Sequence, residues 1–462
     1  MSFLQELATK ASAVDFAQLP GEVIEEARYC LLDALGCGLL GSSTPEGRAI
    51  VAALKELSGN GSVPVWGTNI SLPAESSVMA CGSFCHLREL DDVHYAIVHP
   101  GAVCVPVAVA VAQENALTYK DLLLAIVIGY EVMIRIAKSI NFLNHRRLGW
   151  HATATCGSFG AAAAAAKLLR LDASMFTWAL GICGSRTGGT WAFSADNAMS
   201  KRLHPGQAAR DGLTSAYLAK HGITGPAHVL DAEDGGFFRV ASQSWNVEDL
   251  TRRWGEVWAI TEIEYKWYAA CKSVHSPIEA ARQIFLKVKH SRRPNYTDIK
   301  QITVKVNSTA LAMAGRMFKR GSVVSAQLSI PYGVAVGLLG GEGSAADYTE
   351  DKTNQPEIYE LAKKVKVCSL EEFDQLRASQ HKSAAELEVE WMDGHLETVR
   401  VADPKGTVYN PLSREELVNK FLSLASPVLG LKQAERISEV VIGGSTSLAA
   451  SDLIGLLALK GE

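Results

Sequence analysis

GSFGAAAAAAKLLRL, residues 157–171, is the stretch that decides the fold. Its six consecutive alanines favour a helix strongly, and such small side chains allow a second helix to approach closely. The same letters could be taken for a nucleotide-binding loop, but GSFG lacks the GxGxxG spacing and follows no predicted strand. The stretch therefore predicts a helix packed tightly among other helices.

Helical patterns extend on both sides of this stretch, from the N-terminus to about residue 262. GEVIEEARYCLLDALGCGLLG, residues 21–41, repeats apolar residues at helical spacing. SWNVEDLTRRWG, residues 244–255, has a polar opening and a closing glycine, which indicates a capped helix. After residue 401, SREELVNKFLSLASPVL and QAERISEVVIGG return to the helical pattern.

The region between these helical parts has a different pattern. IKQITVKVNS (299–308), KKVKVCSL (363–370) and AELEVEWMDGHLETVRVAD (385–403) alternate apolar and polar residues, which is typical of strands. The last contains an Asp-Gly turn between two strands and predicts a hairpin. We therefore expect a mainly α protein: a large helical domain of residues 1–262 and 402–462, interrupted by a smaller α+β domain of residues 263–401.

Composition restricts the function classes. The chain has 462 residues, of which 48% are hydrophobic and 20% charged, and its formal net charge is −4, so no global positive field attracts nucleic acid or anionic lipid. The longest apolar runs fall short of the roughly 20 residues that span a membrane, and Glu6 and Lys10 argue against a signal peptide. Nine scattered cysteines without a CxxC pair indicate reduced thiols. We expect a soluble, cytoplasmic protein.

Ionisable residues concentrate in four clusters beside helix-packing sequence. These are Glu89, Asp91, Asp92, His94 and His99; His151, ahead of the alanine run; Lys201, Arg202 and His204; and Lys266, Lys272 and His275 at the predicted domain junction. Taken singly, each cluster has an ordinary structural explanation: a helix cap, a solvated turn, or a lysine whose aliphatic side chain lies on apolar surface.

Together the clusters predict a site for a multiply charged acid. Lysine and arginine would neutralise carboxylates, while histidine and aspartate would transfer protons. Removing a proton next to a carboxylate builds a carbanion-like transition state, which cationic groups stabilise without a cofactor. Metal binding fits less well, because His94 and His99 are five residues apart and no HExxH or Cys/His ligand framework is present.

These clusters resemble the motifs of the MmgE/PrpD family, whose members include 2-methylcitrate dehydratase, cis-aconitate decarboxylase and iminodisuccinate epimerase. The matching stretches are LDDVHYAIVHPGAVCVP, HATATCGSFGAAAAAAKLL, KRLHPGQAARDG and YKWYAACKSVHSPIEA, with weaker matches in LLDALGCGLLG, WGTNISLPAESSVMACG and NPLSREELVNKF. They follow the family order across nearly the whole chain. The resemblance implies a homodimer whose helical domain and α+β lid enclose the active site, with no metal or organic cofactor.

The resemblance also implies roles for individual residues. Catalytic positions carry over to His99, His151, Lys201, Lys266, Tyr332 and Asp91. We add as expected substrate-binding residues Arg202, His204, Lys272, His275, Glu89 and Asp92. Two positions depart from decarboxylase-like members, because Glu89 stands where they have aspartate and Val93 where they have threonine. Both changes weaken a decarboxylase assignment.

We therefore predict a cofactor-independent enzyme that acts on a small di- or tricarboxylate. Dehydration or hydration ranks first, epimerisation or isomerisation second and decarboxylation third, since one carbanion-like intermediate can lead to all three. The alternative is a non-catalytic helical protein that binds a carboxylate. The presence of two lysines together with two histidines favours the enzyme.

Overall fold

The computed structural model describes residues 1–289 and 297–459. Its described residues form two compact units. The larger comprises residues 1–87, 91–263 and 413–459, and the smaller comprises residues 88–90, 264–289 and 297–412. The predicted fold class, mainly α with a smaller α+β part, is confirmed. Among the described residues, no helix combines the length and the apolarity that a bilayer crossing requires.

The larger unit is built from helices. Their bounds are α1 Phe3–Ala13, α2 Gly21–Ser42, α3 Pro45–Ser58, α4 Ala74–His86, α5 Gly101–Glu114, α6 Tyr119–Ser139, α7 Phe142–Arg147, α8 Ala152–Thr155, α9 Gly157–Leu168, α10 Ala173–Gly184, α11 Phe193–Asp196, α12 His204–Lys220 and α13 Phe237–Ala241, followed after the smaller unit by α21 Arg414–Leu429, α22 Leu431–Gly443 and α23 Ala450–Ile454. A short antiparallel ribbon, β1 Val63–Pro64 and β2 Ser71–Leu72, precedes α4.

The alanine-rich helix α9 lies at the centre of this unit, and all six of its consecutive alanines are buried. It packs against α6 and α12. A methyl group added at Gly212 of α12 would lie 2.4 Å from Cβ of Ala161 and 2.5 Å from the backbone nitrogen of Ala162. The small residues therefore set the close distance between these helices, as the sequence predicted.

The smaller unit combines helices with one four-stranded sheet. Its elements are α14 Lys272–Val288, β3 Ile299–Val306, α15 Ser308–Ala314, α16 Val323–Gln327, α17 Ile330–Leu338, α18 Glu350–Asn354, α19 Pro356–Ala362, β4 Val365–Ser369, α20 Glu371–Gln380, β5 Ala385–Trp391 and β6 Leu396–Val401. The strand order is β4-β3-β5-β6, with β3 parallel to β4 and the other pairs antiparallel. Along β5 every second residue is buried, which matches the alternation in its sequence.

The predicted hairpin is present between β5 and β6. Glu390 pairs with Leu396, and the backbone N–H of Gly394 donates to the carbonyl of Trp391 at 3.0 Å. Gly394 has a φ of 85°, a left-handed conformation that glycine adopts without strain. The Asp-Gly signal therefore identified the turn correctly.

The prediction of a capped helix over residues 244–255 is wrong. Only a short 3₁₀ helix, Val247–Leu250, forms there, followed by turns. The guanidinium of Arg135 donates to the carbonyl oxygens of Arg252 at 2.8 Å and Val257 at 3.2 Å. The Arg252 carbonyl, inside the predicted helix, thus accepts from a side chain distant in sequence.

The smaller unit extends past residue 401, where the sequence placed its end. The N–H of Tyr265 donates to the carbonyl of Gly406 at 2.8 Å, and the carboxylate of Glu279 accepts from the N–H of Lys405 at 2.8 Å. These bonds attach the loop of residues 402–412 to the smaller unit, and the chain re-enters the larger unit at Ser413.

Candidate active site

The connection between α4 and α5 is fixed by a buried carboxylate. One oxygen of Asp92 accepts from the N–H of Gly101 at 2.9 Å, at the start of α5, and the other accepts from the Tyr130 hydroxyl at 2.7 Å. Burial, with the nearby charges of Asp33 and Asp91, raises the pKa of Asp92 to about 8. Both oxygens are engaged by the fold, so Asp92 anchors the connection, and its predicted contact with substrate stays a prediction.

Asp91 lies between two imidazole rings. Its Oδ2 is 2.7 Å from Nδ1 of His86 and 3.4 Å from Nδ1 of His99. The two ring centroids are 4.8 Å apart. His86 and Asp91 are fully buried, and 7% of His99 is exposed. The structure therefore brings together two of the predicted catalytic residues, and adds His86, which the sequence analysis had not named.

The hydrogen bonds assign the tautomer of His99. Its Nδ1 is 2.7 Å from the carbonyl oxygen of Asp92, and a carbonyl can only accept. Nδ1 of His99 therefore carries the proton, which makes Nε2 the basic nitrogen of the neutral ring. An ionised Asp91 favours the same tautomer in His86. This is the arrangement by which a carboxylate orients a histidine for proton transfer.

The same three side chains bear on metal binding. Among the described residues, one ligand-type atom from each of His86, Asp91 and His99 lies within 4.8 Å of the others. Two ligands of one tetrahedral zinc ion would lie about 3.3 Å apart. The 2.7 Å between His86 and Asp91 is shorter and is the distance of a donor and its acceptor. The group is therefore best described as a hydrogen-bonded acid–base set.

A second histidine pair lies next to this set. Nδ1 of His151 is 2.8 Å from Nδ1 of His204, and the His151 ring centroid is 6.0 Å from that of His86. Trp191 and Phe193 contact the His151 ring edge-on, at centroid distances of 5.3 and 6.0 Å. Burial lowers the pKa of His151 well below its usual range and that of His204 to about 4. Both rings are therefore neutral near pH 7.

Two cations stand on the short 3₁₀ helix that precedes α12, Met199–Leu203. Lys201 and Arg202 are buried, at 3% and 2% exposure. The charge of Lys201 adds to burial in lowering the pKa of His151 and of His204. Arg202 donates to the carbonyl oxygen of His86 at 3.0 Å. Lys201 thus lies near the histidine pair, while Arg202 also holds the end of α4.

Lys266, in the smaller unit, is held by a buried carboxylate. Its Nζ is 2.8 Å from the carboxylate of Glu89, and each side chain is about 1% exposed. Residues 88–90 belong to the same unit, where the amide of Gln327 donates to the carbonyls of Arg88 and Ala269 at 3.0 and 3.1 Å. Glu89 has a φ of 53°, a left-handed conformation that is unusual for glutamate.

The remaining predicted residues of the smaller unit make local contacts. Lys272 forms an ion pair of 2.9 Å with Glu264, and Nε2 of His275 lies 3.2 Å from the carbonyl oxygen of Ala270. The hydroxyl of Tyr332, on α17, donates to the carbonyl of Asp347 at 2.5 Å. Burial raises the pKa of Tyr332. The roles predicted for these three residues stay predictions.

The chain is similar to proteins of a known family over most of its length. The MmgE/PrpD N-terminal domain matches residues 5–249 and the MmgE/PrpD C-terminal domain matches residues 268–442. The chain is 28% identical to cis-aconitate decarboxylase of Aspergillus terreus, over 98% of this chain and 95% of the relative. It is 30% identical to cis-aconitate decarboxylase of Homo sapiens, over 95% and 91%. It is 24% identical to 2-methylcitrate dehydratase of Escherichia coli (strain K12), over 90% and 89%.

A mainly helical fold with a buried set of histidine and aspartate side chains fits a family of acid–base enzymes. The chain belongs to the MmgE/PrpD family. The resemblance seen in the sequence is confirmed, and with it the prediction of an enzyme of the lyase type found in this family.

Proposed function

We propose that the protein is a lyase that acts on a small di- or tricarboxylate by acid–base proton transfer at carbon next to a carboxylate. The observation that carries the proposal is the position of Asp91 Oδ2 against Nδ1 of both His86 and His99. The Asp91 carboxylate holds His86, and the Asp92 carbonyl holds His99 beside Asp91, each ring with Nε2 as its basic nitrogen. Protein side chains then supply acid, base and positive charge without a metal or an organic cofactor.

His99 is the proposed proton-transfer residue, because its ring is oriented by both Asp91 and the Asp92 carbonyl. His151 is the proposed second one, since its ring lies 6.0 Å from that of His86 and is neutral near pH 7, so that one of its nitrogens carries a proton. Asp91 orients His99 and stabilises the imidazolium that forms when the ring accepts a proton.

Lys201 and Arg202 are the proposed carboxylate-binding residues of the larger unit. A cation beside a carboxylate lowers the energy of the negative charge that develops on the adjoining carbon. In the smaller unit we propose Lys266 for the same task, with Glu89 holding its ammonium when substrate is absent. Supporting substrate contacts are proposed for Tyr332, Lys272, His275, His204 and Asp92.

Dehydration is the first proposed reaction, as ranked from the sequence. A base removes a proton from the carbon next to a carboxylate, and the β-hydroxyl leaves with a proton as water. The residues described above supply both the base and the acid that these two transfers require. Return of the proton to the opposite face of the carbon, without loss of water, would instead give epimerisation.

Decarboxylation, ranked third from the sequence, is the second candidate, because the names of similar proteins support it and dehydration. The cis-aconitate decarboxylases of Aspergillus terreus and Homo sapiens are 28% and 30% identical over 98% and 95% of this chain, whereas the Escherichia coli dehydratase is 24% identical over 90%. In this reaction the substrate loses carbon dioxide and gains one proton at carbon. Glu89 and Val93, where the resemblance leads us to expect aspartate and threonine in a decarboxylase, count against this candidate.

A homodimer in the cytoplasm completes the proposal. The family resemblance supports the dimer, and light scattering of the purified protein would measure it. None of the nine cysteines forms a disulfide, and eight of them are buried, which supports a reducing compartment. The net charge of −4 gives no support to a nucleic-acid partner.

One NMR experiment tests the proposal. The purified protein is incubated in deuterated water with methylcitrate, citrate, cis-aconitate or iminodisuccinate, and products are followed by ¹H and ¹³C spectra. Loss of water, loss of carbon dioxide with deuterium gained at carbon, and deuterium exchange with inversion are distinct outcomes. Absence of product and of deuterium exchange with all four compounds, from a folded protein, would contradict the proposed function.

A further inference from the structure

The hydrogen bond between His151 and His204 occupies only one nitrogen of each ring. Each ring uses its Nδ1 for this bond of 2.8 Å. Nε2, on the other side of each ring, has no hydrogen-bond partner among residues 1–289 and 297–459. Neither Nε2 is one of the buried polar atoms that lack a partner in these ranges, so water or a ligand can reach both. The histidine pair therefore has two open ends.

The two open ends lie in different surroundings. His151 is 2% exposed, and its ring centroid is 6.0 Å from that of His86, within the candidate active site. His204 is half-buried and is the first residue of α12. One end of the pair thus lies among the residues proposed to transfer protons, whereas the other end lies nearer to solvent.

Neighbouring residues hold the two rings together. The N–H of His151 donates to the carbonyl of Gly189 at 3.0 Å, and a methyl group added at Gly189 would lie 2.4 Å from Cβ of Ala154. Phe193 is buried and contacts both rings edge-on, with centroid distances of 6.0 Å to each. Apolar surface therefore lies against the pair, which favours a proton that passes from ring to ring over one that passes through water.

The pair has two neutral forms. In the first, Nδ1 of His151 donates to His204, so Nε2 of His151 can accept a proton. In the second, Nδ1 of His204 donates, and Nε2 of His151 carries a proton that it can give away. Burial lowers the pKa of both rings, so the pair is neutral near pH 7 in either form. The position of one shared proton thus decides whether His151 is ready to act as a base or as an acid.

We propose that His204 transfers protons between His151 and solvent. When Nε2 of His151 takes a proton from substrate carbon, the Nδ1 proton crosses the bond to His204, and Nε2 of His204 releases its own proton to water. The substrate then carries the negative charge, the pair is again neutral and water has become hydronium. The reverse sequence delivers a proton from solvent to carbon. The proposal rests on the proposed function, in which His151 exchanges protons with substrate.

Chemical rescue distinguishes this role from a structural one. His204→Ala removes the ring, and we expect kcat to fall by about 10- to 100-fold. Because the position is half-buried, imidazole from solution can occupy the space and carry the proton. At constant pH and ionic strength, added imidazole should restore kcat by about fivefold or more. It should leave the rates of the wild type and of His221→Ala, at an exposed histidine, unchanged.

Two comparisons separate proton transfer from packing. Thiazole has a ring of similar size but a much less basic nitrogen, so it should not restore the rate of His204→Ala. His204→Asn keeps a hydrogen-bond partner for Nδ1 of His151 but lacks a second ring nitrogen, so it should remain slower than the wild type. Equal rescue of His204→Ala by thiazole and imidazole, or full activity in His204→Asn, would overturn the inference.

A second readout needs no substrate. In protein labelled with ¹⁵N-histidine, an N–H···N bond gives a scalar coupling between the two Nδ1 nuclei, which are assigned with His151→Asn and His204→Asn. We expect this coupling in the wild type. If the wild type converts none of the carboxylates, the proposed function fails, while the coupling still decides whether the rings share a proton. Absence of the coupling, or an active wild type whose His204→Ala variant is not rescued by imidazole, overturns the inference.

Discussion

One hydrogen bond joins Nδ1 of His151 to Nδ1 of His204, 2.8 Å away. A bond between two imidazole nitrogens requires one donor and one acceptor, so the pair holds one proton between these atoms. Burial and the nearby charge of Lys201 oppose the entry of another, as the lowered pKa values of both rings show. Whether Nδ1 of His151 carries a proton therefore depends on the tautomer of His204.

Replacing His204 should therefore affect His151. We expect His204→Phe to reduce kcat by about 10- to 100-fold, because the hydrogen bond is lost. His204→Asn, whose side chain can still donate or accept, should lose less. Steady-state kinetics across pH measures both. Equal losses in the two variants, without a change in the pH profile, would show that His204 only fills space.

His99 should be required for turnover but not for folding. His99→Ala removes the proposed proton-transfer group, and we expect kcat to fall by about 10²- to 10⁴-fold. Circular dichroism should show the same helical content as the wild type. His221→Ala, at an exposed histidine of the same unit, is the control and should keep full activity. Full activity in His99→Ala would rule out the role given to His99.

The effects of replacing Lys266 and Glu89 on the free energy of unfolding should not be additive. Lys266→Met leaves the carboxylate of Glu89 buried without its partner, which we expect to cost about 3–5 kcal/mol in the free energy of unfolding. The double variant Glu89→Gln with Lys266→Met should regain most of this loss. Urea denaturation measures both effects.

The same double variant isolates substrate binding from stability. We expect its KM to rise strongly, because the ammonium proposed to bind a carboxylate is absent. A folded double variant with the KM of the wild type would remove Lys266 from the proposed substrate-binding residues.

His145 should make stability depend on pH. Its Nδ1 donates to the Ala241 carbonyl at 2.7 Å, and burial lowers its pKa from 6.5 to about 4. Between these values the unfolded chain binds a proton that the folded protein does not, so the free energy of unfolding falls as pH decreases. We expect the stability advantage of the wild type over His145→Gln to be full above about pH 6.5 and to shrink towards pH 4. A difference between the two proteins that stays constant from pH 6.5 to pH 4 would contradict the assignment.

The close packing of α9 and α12 should not tolerate a methyl group. In Gly212→Ala the new Cβ would meet the backbone of Ala162 and of Ser158 at 2.5 Å, and backbone atoms cannot move aside cheaply. We expect a loss of about 1–3 kcal/mol in thermal or urea unfolding. Gly21→Ala, also within a helix but with no atom within 4 Å of the added group, should change stability by less than about 1 kcal/mol. Equal stability of the two variants would refute the packing argument.

Much of the fold followed from local patterns. The alanine run, the alternating strands and the Asp-Gly turn each predict a backbone conformation from neighbouring residues, and each prediction is confirmed. Residues 244–255 have a helical pattern as well, but Arg135, more than 100 positions away in sequence, binds their carbonyls. The local sequence does not indicate such a contact. The prediction of a helix over residues 244–255 was therefore wrong.

Some residues of the candidate site could be predicted from the sequence, and one could not. Clusters of charge and imidazole identified Asp91, His99, His151 and Lys201, because ionisable residues are conspicuous in apolar sequence. His86 was missed, since a single histidine at the end of a helix, in CGSFCHLREL, carries no signal of its own. The available clue was its position five residues before Asp91, which has meaning only once the connection to α5 is folded.

The sequence by itself determined most of the secondary structure, the charge balance and the family, because these depend on neighbouring side chains and on ordered motifs. Tertiary structure alone decided which side chains meet: His151 with His204, Asp91 with His86, and Asp33 with Lys420, which are 387 positions apart. Such contacts depend on how helices pack, and helix packing is set by the shapes of surfaces distant in sequence.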